Sequence, residues 1–146
     1  MTRFQFRLQK VLEWREKQLE LEDIRFKRQI AELASLDRAR AELQSAGLQA
    51  EKQVRASAMV SGRDLSALAG YRRYVQTHGR KLEEQRAEAQ KQLEARQNAM
   101  LEARRRCRLL ERLKERRLSE WQLACDRELD QLASESFLAL WGRRQS

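Results

Sequence analysis

Residues 19–36 read Leu19-Glu20-Leu21-Glu22-Asp23-Ile24-Arg25-Phe26-Lys27-Arg28-Gln29-Ile30-Ala31-Glu32-Leu33-Ala34-Ser35-Leu36. Leu19, Phe26, Ile30, Leu33 and Leu36 recur at helical intervals, and charged side chains fill most of the gaps. That spacing marks a helix burying one narrow stripe and leaving the rest of its circumference to water. The stripe continues upstream through Leu12 and Leu8, and downstream through Leu43, Ala50 and Val54. Arg15 and Glu22 fall on stripe positions, so the heptad is imperfect. Opposite charges four residues apart support the wet faces: Glu13–Lys17, Asp23–Lys27 and Glu51–Arg55. A first helix is therefore predicted over about residues 4–60, with Thr2 and Gln5 as a capping box at its start.

A second stripe predicts a helix over about residues 64–140. It runs through Leu68, Val75, Leu82, Ala89, Leu93, Met100, Cys107, Leu110, Trp121 and Cys125 to Leu129 and Leu132. Between the two stripes lies Met59-Val60-Ser61-Gly62-Arg63-Asp64-Leu65. Gly62 is the natural reversal, which puts the turn at 61–63, and Ser61 with Asp64 resembles an N-cap for the next helix. Each narrow stripe needs a partner, and the nearest one is the other helix folded back antiparallel. The expected fold is all-α: one domain over residues 1–146, a long antiparallel two-helix coiled coil, or helical hairpin. In that arrangement residue i lies opposite roughly residue 124 − i, and the arms are roughly 85 and 115 Å long. Residues beyond about Trp121 overhang the first arm. They carry their own apolar set, including Phe137, Leu138 and Trp141, which makes this tail a partner-binding candidate.

Composition agrees with long helices. The 146 residues include no proline, 36% charged residues and only 6% aromatics. Uninterrupted helices need that absence of breakers, and so few large apolar side chains do not fill an enzyme-sized core. No segment reaches the roughly 18 apolar residues of a membrane span. The N-terminal residues lack the apolar run of a secretory signal, and the early Glu13, Glu16 and Glu20 are unlike a transit peptide, so the expected location is the cytoplasm.

The inventory offers little chemistry. His78 is the one histidine, there is no glycine-rich phosphate loop, and no nucleophile elbow or His-Glu-x-x-His exists. Cys107 and Cys125 are 18 residues apart, about 27 Å along a straight helix, which forbids a disulfide between them within that helix. No enzymatic activity, cofactor, small-molecule substrate or zinc site is expected.

Charge is unevenly placed. The chain carries a net +9. Arg104, Arg105, Arg106, Arg108, Arg112, Lys114, Arg116 and Arg117 stand against Glu111 and Glu115, so residues 103–117 hold +6 of it. Three readings compete: a solvated face offset by Glu13, Glu16 and Glu20 of the first arm, a docking face for an acidic protein surface, or a nucleic-acid contact. The last fits least well, because Leu109, Leu110 and Leu113 give the cluster its own seam and no stacking aromatics accompany it.

The ordered set of short strings resembles a known family. Phe6-Arg7-Leu8-Gln9-Lys10-Val11-Leu12-Glu13-Trp14-Arg15-Glu16-Lys17 is similar to the opening of the flagellar export proteins of the FliJ family. Tyr71-Arg72-Arg73-Tyr74-Val75 resembles the start of that family's second helix. Leu109-Leu110-Glu111-Arg112-Leu113-Lys114-Glu115-Arg116-Arg117 with Trp121, and then Leu129-Asp130-Gln131-Leu132-Ala133, resemble its late helix and C-terminal segment. The likeness covers nearly the whole chain in order. Around the turn, Gly47, Ala50 and Gly70 stand where the family carries larger apolar residues.

The resemblance implies an antiparallel two-helix stalk of a type III protein export apparatus. Such a stalk enters the hexameric ring of the export ATPase FliI, contacts the membrane export gate protein FlhA and cycles export chaperones. It implies a ring-facing set of Arg104, Arg105, Arg108, Arg112, Arg116 and Arg117 with Leu8 and Leu12. A gate-facing set of Tyr71, Tyr74, Val75 and His78 follows in the same way. The implied location is cytoplasmic, peripheral to the inner membrane. The equivalent stalk of a virulence secretion system is the alternative, and a basic helical nucleic-acid binder is a more distant one.

Overall fold

The structure, a computed structural model, describes residues 2–145. Among them it is all-α, with helix α1 over Gln9–Ala56 and helix α2 over Gly62–Gln145. The chain divides into two compact units, a division the continuous stripes do not announce.

One unit, Glu20–Leu101, is a helical hairpin. Its arms are antiparallel and in the expected register. Asp37 pairs with Arg86, Arg40 with Glu83 at 2.6 Å, and Glu51 with Arg72 at 2.9 Å. Each pair fits residue i opposite roughly 124 − i to within one position. These side chains are roughly half exposed, so each pair contributes at most about 1 kcal/mol. Their common value is to favour one register over its neighbours.

The seam between the arms differs from the expected stripe at one place. Gln29 is buried, while the adjacent Ile30 is 44% exposed. Counting from Phe26, the half-buried and buried positions include 26, 29, 33, 36, 40, 43, 47, 50 and 54, an alternation of three and four flanked by half-buried 39, 46 and 51. Ile30 lies one position off that line. Its apolar character does not override the geometry, because shifting the seam to it would displace Leu33 and Leu36 as well. On α2 the matching line includes Leu68, Tyr71, Val75, Leu82, Arg86 and Ala89.

The reversal is a segment of five residues, 57–61, and not 61–63. Gly62 is the first residue of α2, and no described residue has a positive φ, so the freedom of glycine is not what makes the turn. Ser57 instead donates its hydroxyl to the Met59 carbonyl at 3.0 Å and its N–H to the Val54 carbonyl. Ser61 caps α2 as the sequence suggests: its hydroxyl accepts the Asp64 N–H at 3.2 Å, and its own N–H donates to the Asp64 carboxylate at 3.0 Å. This reciprocal box satisfies two of the groups a helix start leaves open. Hydrogen bonding by Ser61, from its backbone N–H foremost and then its side chain, holds the Asp64 carboxyl below the ordinary aspartate range.

The other unit joins the beginning of α1, through Leu19, to α2 from Glu102 onward. Here the predicted capping box of Thr2 with Gln5 does not form, because residues 2–6 are not helical. The N–H of Gln9 bonds the Phe6 carbonyl at 3.1 Å, and α1 starts there. The preceding segment crosses onto α2, where the Phe4 ring meets Trp121 with centroids 5.9 Å apart at 54°. An aromatic contact of this kind offsets the loss of a first helical turn. Leu12 and Cys107 form the core of this unit, each 3% exposed. From Asp126 to Gln145 every residue of α2 is exposed.

Candidate functional site

No helix among the described residues is long and apolar enough to cross a membrane. The chemically distinctive surfaces are three, one in the hairpin unit and two in the unit containing Leu12.

The first is the basic face of α2. All the arginines of residues 104–117 are exposed, and only Lys114 is half-buried. Among the described residues Glu13, Glu16 and Glu20 make no ion pair with this face, and the ion pairs of the segment are all within α2. Arg105 and Arg106 share Glu102, while Arg116 and Arg117 share Glu120. Arg104, Arg108 and Arg112 have no ion pair among the described residues. Spaced at i, i+4 and i+8, they form a row of uncommitted guanidiniums. The seam side of the same turns holds Cys107 and Leu110, so the segment is buried on one side and cationic on the other.

The α1 residues assigned with this face divide by burial. Leu8 is 38% exposed, whereas Leu12 is in the core and serves the seam. Trp14, which the stripe spacing does not mark, is half exposed with the Arg15 guanidinium 4.7 Å from its ring centre. Two adjacent residues, one aromatic and one cationic, were the available signal.

Next to this face sits a small polar cluster. The Cys107 thiol donates to Glu111 Oε1 at 3.7 Å, and Glu16 approaches from α1, so the three ligand-type atoms lie within 4.8 Å of one another. Burial, and then the negative charge of Glu111, push the Cys107 thiol up from its ordinary value. A thiol that holds its proton is a hydrogen-bond donor to the carboxylate and a poor metal ligand. Spacing along one helix does not reveal such a cluster, because it draws on two.

The second surface lies near the turn. Tyr71, Tyr74 and His78 form a continuous stack on α2, with centroids 6.1 Å apart for the first pair and 5.2 Å for the second. Tyr74 is 54% exposed and His78 is exposed, while Tyr71 is half-buried. Val75, grouped with them in the sequence, faces the other arm instead. Its methyl groups lie 3.5 Å from where a Cβ on Gly47 would sit. A shallow apolar cleft beside it is lined by Gly47, Leu48, Tyr71 and Val75.

The third is the tail. Phe137, Leu138 and Trp141 are 66%, 63% and 56% exposed, and Leu129, Leu132 and Leu140 are comparably open. The tail therefore has the unpartnered apolar face that its sequence predicts.

Comparison with protein-family models, with curated proteins and with solved structures gives no match.

Proposed function

We propose that this chain is a stalk-like component of the flagellar type III protein export apparatus. In this reading it binds the ring of the export ATPase FliI and couples it to the gate protein FlhA and to export chaperones. It works in the cytoplasm, against the cytoplasmic face of the inner membrane. The observation that carries the reading is the row Arg104, Arg108 and Arg112, exposed and without ion pairs, on a helix whose opposite side is a coiled-coil seam.

A shaft held in a ring of subunits has to be attracted without being locked. Exposed cations facing acidic surfaces give a long-range attraction that tolerates movement, unlike a dry apolar fit. The seam keeps the cations at fixed spacing, so the ring meets a rigid row and not a flexible arm. The antiparallel fold and the ordered resemblance to the FliJ family support the same reading. The aromatic stack Tyr71–Tyr74–His78 is the gate-facing candidate, since it presents flat, partly apolar surface at low cost in side-chain entropy.

The test is co-purification of the chain with the cognate export ATPase and, separately, with the cytoplasmic domain of the gate protein. The reading expects both complexes, with loss of the second on Tyr74→Ala and His78→Ala. Saturable binding to unrelated DNA that collapses steeply with salt, with no ATPase complex, identifies a nucleic-acid binder instead.

A further inference from the structure

Past Asp126, α2 keeps an amphipathic pattern although no described residue buries it. Leu129, Leu132, Ala133, Phe137, Leu140 and Trp141 recur at three- and four-residue steps, and all are exposed. The ends of this stripe carry opposite charges. Asp126 and Arg144 are 18 residues apart, five turns of a helix with 3.6 residues per turn, so they lie on one line of its surface. Neither has an ion-pair partner among the described residues. An apolar stripe bounded by an acid at one end and a base at the other is complementary to itself when reversed.

We infer that residues 126–144 form an antiparallel pairing surface for the same segment of a second copy of this chain. With the two-fold axis at Glu135, residue i faces roughly residue 270 − i of the second copy. Arg144 then meets Asp126, Trp141 meets Leu129, and the large Phe137 meets the small Ala133, each twice by symmetry. The segment is about 28 Å long. Two such helices bury on the order of 1,000 Å² in total, the lower edge of a specific interface, so the dimer is dependent on concentration. The pairing begins beyond Trp121, which leaves the Phe4–Trp121 contact intact. The polar side of the segment disfavours a lipid surface as the occupant: it carries Glu128 and Glu135, with Asp130 on the flank of the stripe, whereas interfacial helices are rich in Lys and Arg there.

Sedimentation velocity of the full chain, over about 1–200 µM, tests this directly. The expected result is a reversible monomer–dimer equilibrium. Asp126→Arg alone and Arg144→Asp alone each weaken dimerisation about tenfold, by setting like charges against each other at both ends. The double variant Asp126→Arg/Arg144→Asp restores it, because the charges face each other again with signs exchanged. Helicity by circular dichroism stays unchanged in all three. A chain that is monomeric throughout overturns the proposal. So does a double variant no tighter than the singles, and so does capture of a monomeric chain by phosphatidylcholine–phosphatidylglycerol vesicles.

Discussion

The side-chain amide of Gln29 donates to the backbone carbonyl of Ala89 at 3.1 Å, across the seam of the hairpin unit and out of reach of water. The methyl side chain of Ala89, itself 3% exposed, makes the room that lets the longer residue cross. A polar residue at a seam position costs stability but favours the register that sets a small residue such as Ala89 against it. Gln29→Ala leaves a cavity and removes the bond. It should lower stability by about 1–2 kcal/mol in thermal or urea unfolding. Gln29→Leu refills the space, and the Ala89 carbonyl keeps its bond within α2. That variant should be at least as stable as the unmodified chain. A loss for Leu equal to that for Ala would mean that the hydrogen bond, and not the volume, sets the cost.

Gly47 offers the opposite case. It sits in the interior of α1, where glycine costs about 1 kcal/mol relative to alanine. A Cβ there meets the two Val75 methyl groups at 3.5 Å, an ordinary van der Waals distance. Gly47→Ala is therefore expected to stabilise the chain by about 0.5–1 kcal/mol, read as a rise in melting temperature of a few degrees. A drop would show that the arms approach more closely at this point than 3.5 Å allows.

Much of this was legible in the sequence, and the misses share a cause. The two helices, their antiparallel pairing and the register followed from stripe spacing, which reports packing averaged over many turns. The capping box at Ser61 and Asp64 followed from local chemistry that needs no tertiary information. What failed was decided by single tertiary contacts. Phe4 lies on Trp121 and so draws residues 2–6 out of the helix that Thr2 and Gln5 suggested. Gln29 displaces Ile30 from the seam because register is a collective property. The resemblance groups Leu12 and Val75 with binding residues, whereas Leu12 is buried and Val75 is half-buried against Gly47 of the other arm. The uncommitted state of Arg104, Arg108 and Arg112 was also hidden, since the sequence names the nearby acids but not which arginines they hold.

The two cysteines should behave differently. Cys107 is buried, and its thiol is pushed up by desolvation and by Glu111, so at neutral pH it is less ionised than an ordinary thiol. Cys125 is half-buried. A maleimide reagent under native conditions should modify Cys125 at least about tenfold faster, with the two rates converging in denaturant. Raising the pH toward and above the ordinary thiol range should speed Cys107 later than a free thiol. Glu111→Gln should bring that rise to lower pH. Equal labelling at neutral pH would contradict the burial of Cys107.

Asp64 supplies a dependence on pH with a definite sign. Its folded-state value lies below the unfolded one, because the Ser61 N–H and hydroxyl bond its carboxylate. The contribution is present above the unfolded aspartate value and is lost as pH falls through the folded one. Acidification should therefore fray the first turn of α2 before the arms separate. Hydrogen exchange of the amides at 61–66, taken relative to the intrinsic rate at each pH, should accelerate on acidification in the native chain. In Ser61→Ala it should be fast already at neutral pH. A Ser61→Ala variant with native protection at those amides would remove the capping account.

The cationic row of α2 is proposed to dock into an ATPase ring. Arg116 and Arg117 are poor probes because they also hold Glu120, so the informative substitutions are Arg104→Glu, Arg108→Glu and Arg112→Glu together. The measurement is the rate of ATP hydrolysis by the cognate export ATPase as the purified chain is added. The unmodified chain is predicted to stimulate hydrolysis. The triple variant, with unchanged helicity and melting temperature, should lose most of that stimulation, by about tenfold or more at equal concentration. Full stimulation by the triple variant, or none by the unmodified chain, would contradict the claim.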